Sequence, residues 1–472
     1  MSPLCPSVSH VQTAAPAVSL PQVALLATGG TIAGVAASPL EQIDYAAGVL
    51  GVERMLESLP GIEGVARIVR RQCANLPSEN CTPEHWALLA QGCALALQDP
   101  ETCGAVLTHG TDTLEESAFY LYLTLPPEKP VVLTGAMRPA TSLSADGPIN
   151  IRDAVAVAAS PAACGRGALL VMNGRILSAR TAIKIATVDV EAFAAPESGG
   201  LGRAINGQAL FFADCGGPAP LAGAYAALAG RADLPRVDVL YACAGMATDL
   251  VRHSAAHAQG LVLAGMGNGS MPSAVRDLLR EAAGQGLTVV RASRTGAGPV
   301  TPLPGYAPFI PSGMLSPAKA RVLLMLSLAA TAHLPPAHRQ AAAAAAFAQG
   351  GEVTGGNSQF YFVTALPNSV DETMQQQLRD NGYSDEQVSA YAAAGGLPYL
   401  DNTDTVFGQV YAGMDVVDQI ACVPTVKNED ETDTYRPQED STVTIYKVTI
   451  DNYPGPSADD TADSAASDSS AQ

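Results

Sequence analysis

No apolar run in this chain is long enough to cross a bilayer. A spanning helix needs about 20 consecutive apolar residues, and the longest stretches, such as Val322 to Ala330, are shorter or broken by polar residues. A secretory leader is not evident either. Met1 to Gln22 has neither a basic n-region nor a continuous apolar core, so it reads as a loose polar extension. These absences predict no membrane partner and a cytoplasmic location, with a periplasmic one left open. Metal-site spacing is missing as well. The nine cysteines (Cys5, Cys73, Cys81, Cys93, Cys103, Cys164, Cys215, Cys243 and Cys422) include no C-x-x-C pair and no Cys/His cluster of ligand spacing. They read as mostly buried free thiols in a reducing compartment.

Basic charge is scarce and unevenly placed. The chain carries 26 Lys+Arg against 45 Asp+Glu, a net charge of −19, and residues 351–472 hold 21 of the acidic residues but only 4 of the basic ones. The first 350 residues are therefore almost neutral. An acidic segment of that kind repels phosphate, so nucleic acid is not expected as a partner. With 472 residues, 47% of them hydrophobic, the chain is long enough for about two to four domains with sizeable cores.

What is present is alternation. From Gln22 to about Ala195, apolar runs of strand type (Val23–Ala27, Gly104–Thr108, Pro130–Thr134, Gly167–Met172) alternate with helical stretches around Thr82–Leu97, Thr113–Leu123 and Asp146–Ala159. Pro148 marks one helix start, and Thr113 with Glu116 has capping-box spacing. Repeated strand–turn–helix units predict a parallel sheet covered by helices, with any site at the carboxyl ends of its strands. Residues 196–235, rich in Gly, Ala and Pro, read as a connection. A second α/β unit follows, with strands at Val237–Tyr241, Gly260–Ala264 and Leu287–Ala292 and helices at Pro272–Gln285 and Pro317–Ala330.

Two threonine turns sit at the ends of two of these strands: Ala27-Thr28-Gly29-Gly30-Thr31-Ile32-Ala33-Gly34 and Thr108-His109-Gly110-Thr111-Asp112-Thr113. A threonine hydroxyl there is placed to act as a nucleophile, and the glycines remove Cβ atoms that would block close approach. Either threonine alone has a rival reading as a helix cap, and Lys184 alone reads as a solvated surface residue. His109 reads as structural. Both turns together, with a lysine further on, point to acyl transfer on threonine.

Residues 22–348 resemble the bacterial-type L-asparaginases, close to the type II group. The resemblance rests on both turns, on Gly135-Ala136-Met137-Arg138-Pro139, on Ser144-Ala145-Asp146-Gly147-Pro148, and on Lys184 before Thr187-Val188-Asp189. It implies an α/β, two-domain asparaginase fold: a parallel-sheet N-terminal domain at 22–195 and a smaller α/β C-terminal domain at 236–348. By that resemblance Thr31 is the nucleophile, Tyr45 lies in the loop that closes over it, and Thr111, Asp112 and Lys184 form a second catalytic set. Gly30, Ser78, Glu79, Thr111, Asp112 and Ala136 fall at substrate-binding positions. The implied substrate is L-asparagine, with L-glutamine a candidate weaker one. The implied assembly is a homotetramer, and neither a metal nor an organic cofactor is called for. An Asn and a Glu that the partner subunit supplies in many type II enzymes have no clear match in Ala242–Met246 or Arg294–Pro299. An amidotransferase subunit supplying ammonia to a partner is the alternative of like chemistry, and an inactive binding protein of the same fold is another.

Residues 349–450 are similar to part of a different family, the cyclophilin-type peptidyl-prolyl isomerases, through Gly356–Phe362, Thr405–Val410 and Gly413–Asp418. Gln359, Tyr361, Tyr399 and Leu400 fall at its pocket positions. The upstream strand that carries the family's catalytic arginine has no counterpart: Ala341–Ala348 precedes Gln349-Gly350-Gly351. The expectation is a β-rich partial segment without isomerase activity, a peptide-binding role being the alternative, then an acidic disordered tail at 451–472.

Overall fold

The computed structural model describes residues 20–213, 221–350, 372–380, 385, 388–389, 425–427 and 433–437. The cyclophilin-like pocket positions Gln359, Tyr361, Tyr399 and Leu400, the extension before residue 20 and the tail at 451–472 lie outside them. The chain divides after Ser358 into two units, each described by itself.

The first unit begins with β1 (Gln22–Gly29), a short ribbon of β2 (Val35–Ala36) and β3 (Tyr45–Ala46), helix α1 (Val52–Glu57) and β4 (Arg67–Leu76). Then come α2 (Pro83–Leu97), β5 (Thr102–Thr108), α3 (Leu114–Thr124), β6 (Val131–Thr134), α4 (Gly147–Ala158), β7 (Ala168–Met172) and β8 (Arg175–Ser178). A second ribbon, β9 (Ile183–Lys184) with β10 (Phe193–Ala194), precedes β11 (Gly202–Ile205) and β12 (Gln208–Phe211). Eight strands form one sheet in the order β12-β11-β8-β7-β6-β5-β1-β4. The strands from β4 to β7 are parallel, and β8, β11 and β12 run antiparallel at one end. Every residue of β1 is buried, because a central parallel strand is covered on both faces; this is why it reads as an unbroken apolar run.

β1 pairs with β4 on one side and β5 on the other, so successive crossovers leave it in opposite directions. Such a switch point opens a crevice at the carboxyl ends of the strands. Ala27 lies opposite Thr108 there, which sets the two threonine turns side by side.

Two expectations change. Residues 196–235 are not simply a connection: β11 and β12 extend the first sheet. Gly202 and Ala204 are buried on one face of β11 and Arg203 and Ile205 are exposed on the other, a period-2 pattern hidden inside a Gly- and Ala-rich stretch. The capping box at Thr113 does not form either. The Thr113 hydroxyl donates to the Ser78 carbonyl at 2.8 Å, and Glu116 turns to Arg321 at 3.6 Å. Tertiary partners outcompete the local cap. A reciprocal box does form at the start of α2, between Thr82 and His85.

The C-terminal domain has β13 (Val237–Tyr241), α5 (Thr248–His257), β14 (Gly260–Gly265), α6 (Ser273–Gly284), β15 (Thr288–Ser293) and β16 (Ile310–Pro311), with the strands parallel in that order. Helices α7 (Pro317–Ala330) and α8 (Pro336–Gly350) complete it. Ser316 caps α7 by accepting the Lys319 N–H. One apolar core joins the α2/α3 face of the large sheet to α7, α8 and the inner face of the small sheet. A second lies under α1 and α4, and a third under α5 and α6. The alanine run before Gln349 is thus the helix α8, anchored by Ala343, Phe347 and two bonds from Gln340 to the Ala283 and Leu287 carbonyls.

In the second unit, α9 (Glu372–Asp380) and a hairpin of β17 (Thr425–Lys427) with β18 (Asp433–Pro437) are described. Leu378 and Val388 are buried there.

Candidate active site

At the end of β1 the chain turns through Gly29 and Gly30, both with positive φ (100° and 79°), into a 3-10 turn over Thr31–Ala33. Only glycine takes such angles without strain. Space matters as much: a Cβ on Gly30 would stand 2.4 Å from the Cα of Gly110, and one on Gly110 would stand 2.6 Å from the Ser78 hydroxyl. The two turns touch backbone to backbone. Thr31 and Thr111, each the next residue on, flank that contact.

The Thr31 hydroxyl lies 2.7 Å from the Tyr45 phenol oxygen. The β2–β3 ribbon brings Tyr45 back, with Ala36 opposite Tyr45. Its ring rests on Gly34, where a Cβ would come within 2.9 Å of a ring carbon. Lys184, at the end of β9, donates through Nζ to the Thr111 hydroxyl at 2.9 Å and to the Asp112 carboxylate at 2.6 Å. The side chain of Asp112 is 64% exposed, so this ion pair contributes aim more than stability. Because Thr111 accepts from the lysine, its own hydroxyl proton points elsewhere. Ser78, buried in a 3-10 turn after β4, accepts the Asp112 N–H at 3.3 Å. Glu79 beside it is exposed. Ala136 is fully buried on the turn between β6 and α4. That turn is held by the Asp146 carboxylate, which accepts the N–H groups of Met137 and Arg138 at 3.0 Å each.

Under this floor runs a directed chain of hydrogen bonds. The Trp86 indole donates to the Ser117 hydroxyl at 3.0 Å, Ser117 lies 3.0 Å from His109 Nε2, and His109 Nδ1 lies 2.8 Å from the Gly110 carbonyl. A carbonyl only accepts, so Nδ1 carries the proton and Ser117 donates to Nε2. Burial pushes the His109 pKa down, which keeps the ring neutral in this role.

The geometry therefore brings together Gly30, Thr31, Tyr45, Ser78, Thr111, Asp112 and Lys184, with Glu79 and Ala136 on adjoining turns. Three residues not singled out from sequence join them. The Glu115 carboxylate accepts the Lys184 N–H at 2.7 Å and the Ser316 hydroxyl at 3.1 Å. Lys319, only 1% exposed, donates to the carbonyls of Ala179 and Glu115. Glu115 lies two residues past the second threonine turn, but its partners are 69 and 201 residues away, and no local pattern points to them. Among the described residues no group of three or more His, Cys, Asp or Glu side chains could hold a metal ion, and no helix is long and apolar enough to cross a membrane.

Residues 22–215 match the family of the asparaginase N-terminal domain, and residues 236–340 match that of the glutaminase/asparaginase C-terminal domain. Residues 332–450 match the cyclophilin type peptidyl-prolyl cis-trans isomerase/CLD family. The chain is 40% identical over 315 residues to L-asparaginase 2 of Bacillus subtilis, covering 66% of this chain and 84% of that one. It is 39% identical over 321 residues to L-asparaginase 2 of Escherichia coli, covering 67% and 91%. A glutaminase-asparaginase of Pseudomonas aeruginosa is 35% identical over 338 residues, covering 70% and 92%. Among solved structures, a probable cytoplasmic L-asparaginase from Campylobacter jejuni superposes with a TM-score of 0.64 at 37% identity, over 70% of this chain and 99% of that one. The chain thus belongs to the asparaginase family of amidohydrolase enzymes, with a cyclophilin-type segment joined behind it.

Proposed function

We propose that this protein hydrolyses L-asparagine to L-aspartate and ammonia, with Thr31 as nucleophile. The observation that carries the reading is the 2.7 Å contact between the Thr31 and Tyr45 oxygens, beside a Thr111 hydroxyl bonded at 2.9 Å to Lys184. A threonine hydroxyl is a weak nucleophile and needs a base in hydrogen-bond reach. The Tyr45 oxygen takes the Thr31 proton as the threonine oxygen attacks the side-chain amide carbon, and gives up its own phenol proton to the leaving nitrogen. Peptide N–H groups of the two glycine turns face the developing oxyanion. Cleavage of the C–N bond frees ammonia and leaves a β-aspartyl ester on Thr31. Water, oriented by the Thr111–Lys184 pair, hydrolyses the ester and restores the hydroxyl. Ser78, Glu79 and Asp112 hold the zwitterionic end of the substrate, the carboxylates taking its ammonium group.

The relatives named L-asparaginase support the substrate, and the relative named glutaminase-asparaginase supports glutamine as a second one. Assembly as a homotetramer forms part of the reading, as the resemblance to the type II asparaginases implies. The test is ammonia release from asparagine and glutamine by the wild type, Thr31→Ala and Thr111→Val. Loss in both variants is expected. Activity persisting in both would end the threonine mechanism.

A further inference from the structure

Lys184 reaches Thr111 only if its backbone is held in place, and the ribbon that carries it is just two residues per strand. The ribbon does not use the Lys184 N–H. That group points at the first turn of α3 and donates to Glu115 Oε2 at 2.7 Å. An N–H bonded to a carboxylate is stronger than one in a neutral pair, and a carboxylate in the first helical turn is favoured by the helix dipole.

The second oxygen of Glu115 is fixed from the other domain. Ser316, the cap of α7, donates to Oε1 at 3.1 Å while its oxygen also takes the Lys319 N–H at 3.3 Å. Lys319 reaches from the first turn of α7 to the Ala179 carbonyl and the Glu115 carbonyl. Ala179 opens the segment leading to Lys184, and both Ala179 and Ala182 are fully buried. The stretch from residue 179 to 184 is therefore gripped at each end: Lys319 holds the first carbonyl, Glu115 the last N–H.

We propose that Glu115, fixed by Ser316 and Lys319 of the C-terminal domain, is the positioning residue that sets Lys184 against Thr111. The proposal rests on the reading of Lys184 as part of the reacting site. Glu115 touches no reacting atom and acts through the lysine. The C-terminal domain thereby governs the aim of a group carried by the N-terminal one. The role asks for an acceptor at the Glu115 carboxyl position, not for its charge. An amide oxygen can serve, a methyl group cannot, and a shorter carboxylate falls short of the Lys184 N–H.

The experiment compares full-length wild type, Lys184→Met, Glu115→Ala, Glu115→Gln and Ser316→Ala by steady-state ammonia release, with thermal melting of each. Glu115→Ala is expected to lose about 10- to 100-fold in kcat with little change in KM, as a misplaced reacting group does. Glu115→Gln should recover most of that loss, and Ser316→Ala should show a smaller defect in kcat. Full kcat in Glu115→Ala, alongside an inactive Lys184→Met, would overturn the proposal while leaving the site intact. So would a Glu115→Gln variant as slow as Glu115→Ala but equally folded. Full activity in Lys184→Met would instead overturn the reading of the site on which the proposal rests.

Discussion

A methyl group on Gly30 would stand 2.4 Å from the Cα of Gly110, closer than any non-bonded carbon pair tolerates. The contact explains why each threonine turn has a glycine immediately before its hydroxyl. Gly30→Ala forces the turns apart and adds strain at φ 79°. Expect a loss of about 1–3 kcal/mol in stability and of about 100-fold or more in ammonia release. A Gly30→Ala protein with wild-type kcat would show that the contact is not needed for the chemistry.

Tyr45→Phe keeps the ring on Gly34 and removes only the oxygen facing Thr31. The fall in kcat should be about 10²- to 10⁴-fold, the range for loss of a general base, with the melting temperature nearly unchanged. Steady-state rates and calorimetry on the two proteins decide it. An unchanged kcat would remove Tyr45 from the mechanism.

Thr111 and Lys184 act through one hydrogen bond, so their losses should not add. The double variant Thr111→Val/Lys184→Met is expected to be no slower than the worse single variant. Multiplicative losses would mean that the two side chains serve separate steps.

Lys319 supplies a pH test. Burial lowers its pKa from 10.5 to about 8, with Glu115 and Glu116 opposing the shift. Below pH 8 the lysine is protonated in both folded and unfolded states. Between about 8 and 10.5 the unfolded chain holds a proton that the folded one has released, so stability gains with rising pH. Relative to Lys319→Met, the wild type should gain on the order of 3 kcal/mol across that window. Cys73, Cys81, Cys93 and Cys103, whose thiols burial pushes up, slope the other way in both proteins and cancel in the difference. Denaturant melts at pH 7.5, 9 and 10.5 read it. A pH-independent difference would mean that the lysine is not desolvated in solution.

The helix α8 ends at Gly350, and the first unit closes at Ser358. A chain shortened to end at Ser358 should therefore release ammonia from asparagine at a kcat within about twofold of the full chain, since every residue assigned to the site precedes Ser358. Loss of activity in a folded, shortened protein would assign the cyclophilin-type segment a part in it.

Much of this architecture could be read from residues alone, where local and global demands agree. Val23–Ala27 and Gly104–Thr108 are buried throughout and dominated by apolar residues because they are interior strands, and Pro317 opens α7 because a helix start tolerates proline. Reading failed where a distant partner outweighed a local pattern. Thr113 and Glu116 have the spacing of a cap, but Ser78 and Arg321 take them. Strands β11 and β12 are four residues each, too short to stand out from the small residues around them. The site followed the same rule. Thr31, Thr111 and Lys184 were marked by their motifs, whereas Glu115, Ser316 and Lys319 meet only through the packing of α7 on α3.

The hydrogen-bonded line beneath the two turns has one more consequence. Trp86 is the only tryptophan in the sequence, and its indole is buried, stacked on Tyr120 at 5.4 Å. Its N–H is linked through Ser117 and His109 to the Gly110 carbonyl, one peptide from Thr111. Light absorbed selectively by tryptophan therefore enters this molecule at a single point, and that point is coupled to the floor of the crevice. Tryptophan emission from this protein therefore reports on one place alone, the packing beneath the second threonine turn, with no second indole to obscure the signal.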